Sequence, residues 1–126
     1  MYAGFAAVGL GAVLGAWLRW GLSIWLNPRL PLFPLGTLVA NLAGGYLVGF
    51  AVAWFAARHD LPPEVRLFAI TGFLGGLTTF STFSAEVVEL MLRGDLGSGA
   101  LLAFAHLAGS LLLTLAGFAT FRLLAG

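Results

Sequence analysis

Four long stretches of the chain carry almost no charged side chains. Residues 1 to 18 have none, Arg19 interrupts them, and the apolar character resumes through Leu26. Residues 30 to 57, 67 to 85 and 96 to 121 are also free of charge. Short polar connections separate these stretches: Asn27-Pro28-Arg29, then Arg58-His59-Asp60 with Pro62-Pro63-Glu64 and Arg66, then Arg93-Gly94-Asp95. Each apolar stretch reaches or approaches the roughly 20 residues that a helix needs to cross about 30 Å of hydrocarbon. The pattern predicts one transmembrane domain over residues 1–126, with helices at approximately 3–26, 35–57, 67–92 and 96–122.

Composition strengthens that reading. Of the 126 residues 60% are hydrophobic and 9% charged, with mean hydropathy +1.01, whereas about 25% of a soluble domain is charged. So few charges leave too little polar surface to cover a water-exposed globule. The six basic residues are all arginines and the formal net charge is +1, so no basic patch points to a nucleic-acid partner. There is no cysteine, which excludes disulfides and thiolate sites. The first stretch lacks a basic n-region and runs well past the usual apolar core of about 7 to 15 residues, which argues against a cleaved signal peptide.

Loop arginines normally set membrane orientation. With four spans, the face carrying both termini and the 58–66 loop holds Arg58, Arg66 and Arg122, while the other holds Arg29 and Arg93, with Arg19 reaching toward it. Such a near balance permits insertion both ways up, and hence an antiparallel homodimer. The alternative is one orientation decided by a single arginine.

A polar residue inside a membrane bundle is costly to bury unpaired and therefore informative. In the first helix Gly11, Gly15, Arg19 and Ser23 recur every four residues and share a face. In the second, Thr37, Asn41, Gly45 and Gly49 do the same. The small-residue pairs allow close helix approach, and they add to the case for a dimer. Arg19 reads either as a snorkelling structural residue or as an anion-attracting vestibule residue. Asn41 reads either as a packing hydrogen bond or as an amide that donates to an anion. The fourth helix carries His106, Ser110 and Thr114 as one polar stripe. Serine and threonine there can return their protons to the i−4 carbonyl, and His106 reads as a structural hydrogen-bonding residue, since no spacing of His, Cys or carboxylates suggests a transition-metal site.

The third helix is unlike the others. Residues 71 to 84 contain four threonines, two serines and three glycines. These residues weaken a continuous helix, and in hydrocarbon a break survives only where protein or a polar cavity surrounds it. Exposed amides and carbonyls at such breaks commonly form ion sites. The sequence thus predicts an all-α integral membrane protein of four helices, the third broken near mid-membrane. Phe80 and Phe83 project to a similar side and flank Ser81 and Thr82. They are either core packing or electropositive ring edges along an anion path. Glu86 and Glu89 follow, placed to pair with Arg19 or Arg93 or to meet water.

The run Gly75-Gly76-Leu77-Thr78-Thr79-Phe80-Ser81-Thr82-Phe83-Ser84 closely resembles the GGxTTFSTF signature of the Fluc/CrcB fluoride channels. Gly15-Ala16-Trp17-Leu18-Arg19-Trp20 is similar to that family's G-x-x-x-R-[WY] element, and Gly36-Thr37-Leu38-Val39-Ala40-Asn41 with Gly44 or Gly45 to its G-T-L-x-x-N-x-x-G element. His106, Gly109 and Ser110 resemble its fourth helix. The resemblance implies a dual-topology antiparallel homodimer in a prokaryotic plasma or inner membrane. Its two pores would let cytoplasmic fluoride leave down its gradient, without enzyme chemistry. It also implies roles: Asn41 as pore amide, Phe80 and Phe83 as the ring pair, Ser81, Thr82, Ser110 and Thr114 as candidate hydroxyl ligands, and Arg19 as the vestibule-side arginine. Carbonyls of Gly75 and Thr78 from both chains would hold a structural sodium ion.

The residues agree with that chemistry. A small, strongly hydrated anion sheds water only where amides and hydroxyls replace its hydrogen bonds, and a fixed cation in the path would trap it. The chain has no lysine, and no arginine between 30 and 57 or 67 and 92. The alternative is a small dual-topology proton-coupled cation or drug exporter, which needs a membrane-embedded carboxylate. No acid precedes Asp60, and Glu86 and Glu89 lie beyond the break. A purely structural membrane subunit would require the polar stripes to pack against one another.

Overall fold

A computed structural model describes all 126 residues, Met1 to Gly126. Helix α1 spans Tyr2–Leu26 and α2 spans Leu35–Ala56. Between them a 3-10 turn covers Asn27–Arg29, and the Asn27 Oδ1 accepts from the Gly36 N–H at 2.7 Å, tying the two helix ends together. The third span is assembled from pieces. It opens as α3 (Pro63–Arg66), widens into a π-helix over Leu67–Leu74, continues as α4 (Gly75–Leu77), breaks, and resumes as α5 (Ser81–Leu92). It starts earlier than the hydrophobic pattern predicts because Pro63 occupies the first helical turn, where a missing N–H costs nothing. The last helix, α6, covers Leu96–Ala125 and is capped by Asp95, whose carboxylate accepts from the Ser98 N–H.

All four spans are long and apolar enough to cross a membrane. Only 17 of 126 residues are buried, while Leu, Phe and Trp side chains dominate the outer surface. That surface requires hydrocarbon as its solvent, and the chain is a multi-pass membrane protein. The buried apolar residues form two small clusters on either side of the break: Ala40, Leu74 and Leu77 before it, and Val87, Leu90 and Leu102 after it. The first part of the third span packs along α1, whereas α5 packs on α6. The break therefore hands the span from one neighbour to another.

Close backbone approach sets these pairings. A Cβ on Gly11 would lie 2.8 Å from the Phe73 nitrogen, and one on Gly15 would collide with the Phe73 carbonyl. Between α2 and α6, Gly49 meets the Thr114 carbonyl and Gly117 meets that of Tyr46 in the same way. The small-residue faces at Gly11/Gly15 and Gly45/Gly49 are thus used inside the subunit. This corrects the expectation that they contribute to a dimer: they are buried against the third span and α6 and present no free surface.

Replacing Gly15 by Ala should force α1 and the third span apart and lower stability by about 1–3 kcal/mol. Gly21→Ala on the same helix faces open space and should be neutral or slightly stabilising. Thermal unfolding in detergent followed by size-exclusion chromatography separates the two outcomes.

Candidate functional site

The break follows from how its backbone groups are redirected. Thr78 is extended (φ −92°, ψ 156°), so the helical ladder stops. In a continuous helix the Thr79 N–H would serve the Gly75 carbonyl; here it donates to the Asn41 Oδ1 at 2.7 Å. The Asn41 Nδ2 in turn donates to the Thr79 carbonyl at 2.9 Å, so one side-chain amide satisfies both backbone groups of Thr79. The Thr82 N–H, which would serve the Thr78 carbonyl, donates to the Thr79 Oγ1 at 3.1 Å and starts α5. The Gly76 carbonyl accepts from the Arg19 Nε at 3.0 Å. Carbonyls of Gly75 and Thr78 are left without their helical donors.

Beside the break, α2 and α6 enclose a groove of about 530 Å³. Asn41, Phe80, Phe83, His106 and Ser110 line it, as do Gly75 and Thr78, and none of its lining residues is Asp, Glu, Lys or Arg. Phe80 is 75% exposed in the single subunit. Its ring meets that of Phe83 edge to face at 5.4 Å, and Phe83 lies against the His106 ring at 4.4 Å and 31°. His106 is 3% exposed, and its Nδ1 is 3.0 Å from the Asn41 Nδ2. Asn41 thus makes the packing hydrogen bonds that clip the break and also stands at the groove wall.

The remaining expectations divide. Ser110 lines the groove, but Thr114 does not. The Thr114 hydroxyl donates to the Gly45 carbonyl at 2.8 Å, across to α2 and not back to the i−4 carbonyl, so its proton is committed to helix packing. Ser81 is exposed at the start of α5, its Oγ 3.3 Å from the Thr79 Oγ1. Thr82 is half-buried nearby, and neither residue lines the groove. Arg19 is half-buried, and its Nε donates to the Gly76 carbonyl freed by the break. Glu86 pairs with neither arginine; its Oε2 accepts from the Thr37 Oγ1 at 2.7 Å, while its Oε1 is buried without a partner. Glu89 does meet Arg93, at 3.7 Å on the exposed helix surface. In the loop after α2, a hydrogen bond from Arg58 holds the Asp60 carboxyl down to about 2.

One residue and one pairing escape sequence reasoning. Thr79 is the centre of the break, through both backbone groups and its hydroxyl, yet within a run of threonines nothing singles it out. Thr37 and Glu86 lie 49 positions apart, and only their shared lack of nearer partners hints at the pairing.

Fold and site together define a multi-pass membrane protein whose third span is interrupted beside an uncharged groove. A family model described as CrcB-like protein, Camphor Resistance (CrcB), matches residues 6–118. A fluoride-specific ion channel FluC of Thiobacillus denitrificans is 62% identical over 120 residues, covering 95% of this chain and 97% of that protein. The proteins of the same name from Ralstonia pickettii and Pseudomonas putida are 63% identical over 119 residues (94% of each chain) and 59% identical over 124 residues (95% of this chain, 94% of that protein). The chain belongs to the Fluc/CrcB family.

Thr37→Val should leave the Glu86 Oε2 without its donor and cost about 1–3 kcal/mol, read as a fall in unfolding temperature in detergent. Thr37→Ser keeps the hydroxyl and should recover most of that loss.

Proposed function

We propose that this chain is a fluoride-specific channel through which cytoplasmic fluoride leaves a bacterial cell passively, down its electrochemical gradient, so limiting fluoride toxicity. The observation that carries the reading is the break itself, held by Asn41 beside an uncharged groove, in a chain 62% identical to a protein named a fluoride-specific ion channel. A dehydrated fluoride ion needs short hydrogen-bond donors without a fixed cation that would trap it. The groove offers the Asn41 amide, the Ser110 hydroxyl beside those of Thr78 and Thr79, and two ring edges. Passive conduction breaks and makes no covalent bond, so the chain acts without catalytic residues. A proton-coupled exporter would want its carboxylate in the path, whereas Glu86 lies outside the groove lining.

The groove is open-sided, and Gly75 and Phe80 are exposed beside it. Backbone carbonyls released by a break are not tolerated against lipid. A second, antiparallel copy over this face would cover them and bring a second pair of phenylalanines, making two paths per homodimer. The Gly75 and Thr78 carbonyls have lost their helical donors and are hard, neutral oxygen ligands, a donor set that fits sodium. Such a structural ion would supply the positive charge that draws the two breaks together.

Fluoride efflux from liposomes, followed with a fluoride-selective electrode, tests the channel. Asn41→Asp exchanges donors for an acceptor, and Phe80→Ile removes an electropositive edge from a side chain whose exposure leaves the subunit core intact. Both should slow efflux about tenfold or more, or about 1.4 kcal/mol in barrier, while Phe5→Ile on α1 should match the parent. Each variant must first elute as the parent does. Parental rates for folded Asn41→Asp and Phe80→Ile would remove these residues from the path.

For orientation, single cysteines near each terminus should react with impermeant reagents from both sides of an intact membrane. Labelling from one side only rejects dual insertion.

A further inference from the structure

The hydrogen-bond network at Asn41 decides where the proton of His106 sits. The side-chain oxygen and nitrogen of an asparagine are easily confused, but here the Thr79 backbone distinguishes them. Its N–H can only donate, to the Asn41 Oδ1, and its carbonyl can only accept, from the Nδ2. Reversing the amide would set donor against donor and acceptor against acceptor. The atom facing His106 is therefore the NH2 group, whose second hydrogen points at the Nδ1 at 3.0 Å. That nitrogen must accept, so in the neutral ring the proton lies on Nε2. A cationic ring would put two donors face to face.

The same imidazole touches the other wall of the groove, lying against Phe83, which in turn meets Phe80 edge to face. His106 thus links the amide and the ring pair assigned to the path, although its own Nε2 is buried without a partner. Both Asn41 hydrogens are engaged, one by a backbone carbonyl that belongs to the break and one by His106. An anion can take the second without dismantling the break.

We infer that His106 is a positioning residue, held as the neutral Nε2–H tautomer, whose Nδ1 keeps the second Asn41 hydrogen aligned at the groove wall and yields it to a passing fluoride ion. The yielding step rests on the proposed channel function; the tautomer does not.

Nitrogen-15 NMR of histidine-labelled protein reads the tautomer directly, with His59→Gln removing the loop histidine so that one ring remains. The expected spectrum at pH 7 has an unprotonated, hydrogen-bonded Nδ1 and a protonated Nε2, and the Nδ1 signal moves in an Asn41→Ala background. Added fluoride, but not chloride, should move the same signal in the parent. A proton on Nδ1, a cationic ring, or an Nδ1 signal indifferent to Asn41 overturns the assignment, and indifference to fluoride overturns the exchange.

Conduction gives a second reading. His106→Asn places an acceptor on the same γ-carbon, whereas His106→Phe keeps a ring for Phe83 but no acceptor. His106→Asn should stay within about threefold of the parent, and His106→Phe should fall about tenfold or more below it, which is about 1.4 kcal/mol in barrier relative to the parent. Equal slowing of both variants, or a parental rate for His106→Phe, rejects the positioning role. If the parent itself passes no fluoride, the channel reading fails while the tautomer stands or falls on its own spectrum.

Discussion

Every backbone amide and carbonyl in a membrane needs a partner, because hydrocarbon offers none. A helix meets that demand along its own length, and a broken helix does not. The third span stops at Thr78, and the surrounding residues are arranged around the groups it releases. Asn41 takes both polar groups of Thr79, Arg19 takes the Gly76 carbonyl, and the Thr79 hydroxyl takes the Thr82 N–H. Three of the four spans therefore supply atoms to one short interruption or lie within it, and the fourth reaches it through His106.

This arrangement depends on positions with no side chain. Arg19 reaches the break because α1 approaches the third span backbone to backbone at Gly11 and Gly15, and Asn41 because α2 lies against the break at Gly44, where a Cβ would collide with the Thr78 side chain. Larger residues at these contacts would push the partners outside the range of about 2.7–3.2 Å in which an N–H donor meets its oxygen. Glycine packing and the polar clip are thus successive links of one chain of cause. The first sets the spacing, and the second uses it.

Much of the fold was legible from where charges are missing. The limits of α1, α2 and α6 lie within a few residues of those predicted, because each is bounded by an uncharged run. The break was legible because Gly75 to Thr82 contains few residues that favour a helix. The π-helix at Leu67–Leu74 was not, since its sequence is largely apolar and only the hydrogen-bond register distinguishes it. At the site, the i, i+4 faces identified Asn41, His106 and Ser110 as inward residues, because helical periodicity determines which residues share a face. What each hydroxyl or amide proton is given to depends on distant partners. Thr114 donating to Gly45 and Arg19 to Gly76 are pairings across 69 and 57 positions, which local pattern does not encode.

The absence of fixed charge from the groove then takes on a definite sense. Arg19, the one basic residue inside the apolar stretches, is engaged by a carbonyl, and Glu86 is turned to Thr37. Neither lines the groove. Among the aliphatic side chains that line it, the polar groups that remain are dipoles: the Asn41 amide, the hydroxyls of Thr78, Thr79 and Ser110, the His106 imidazole and the phenylalanine ring edges. In the proposed path, dipoles held in place by neighbours would cost little reorganisation when an anion arrives, and with no full charge among them the ion would not be trapped. The break must be tightly satisfied to exist in lipid, yet a conduction path must keep donors available. In the proposed channel Asn41 would meet both demands, because an amide nitrogen has two hydrogens: one closes the break, and the other faces the His106 Nδ1 at the groove wall.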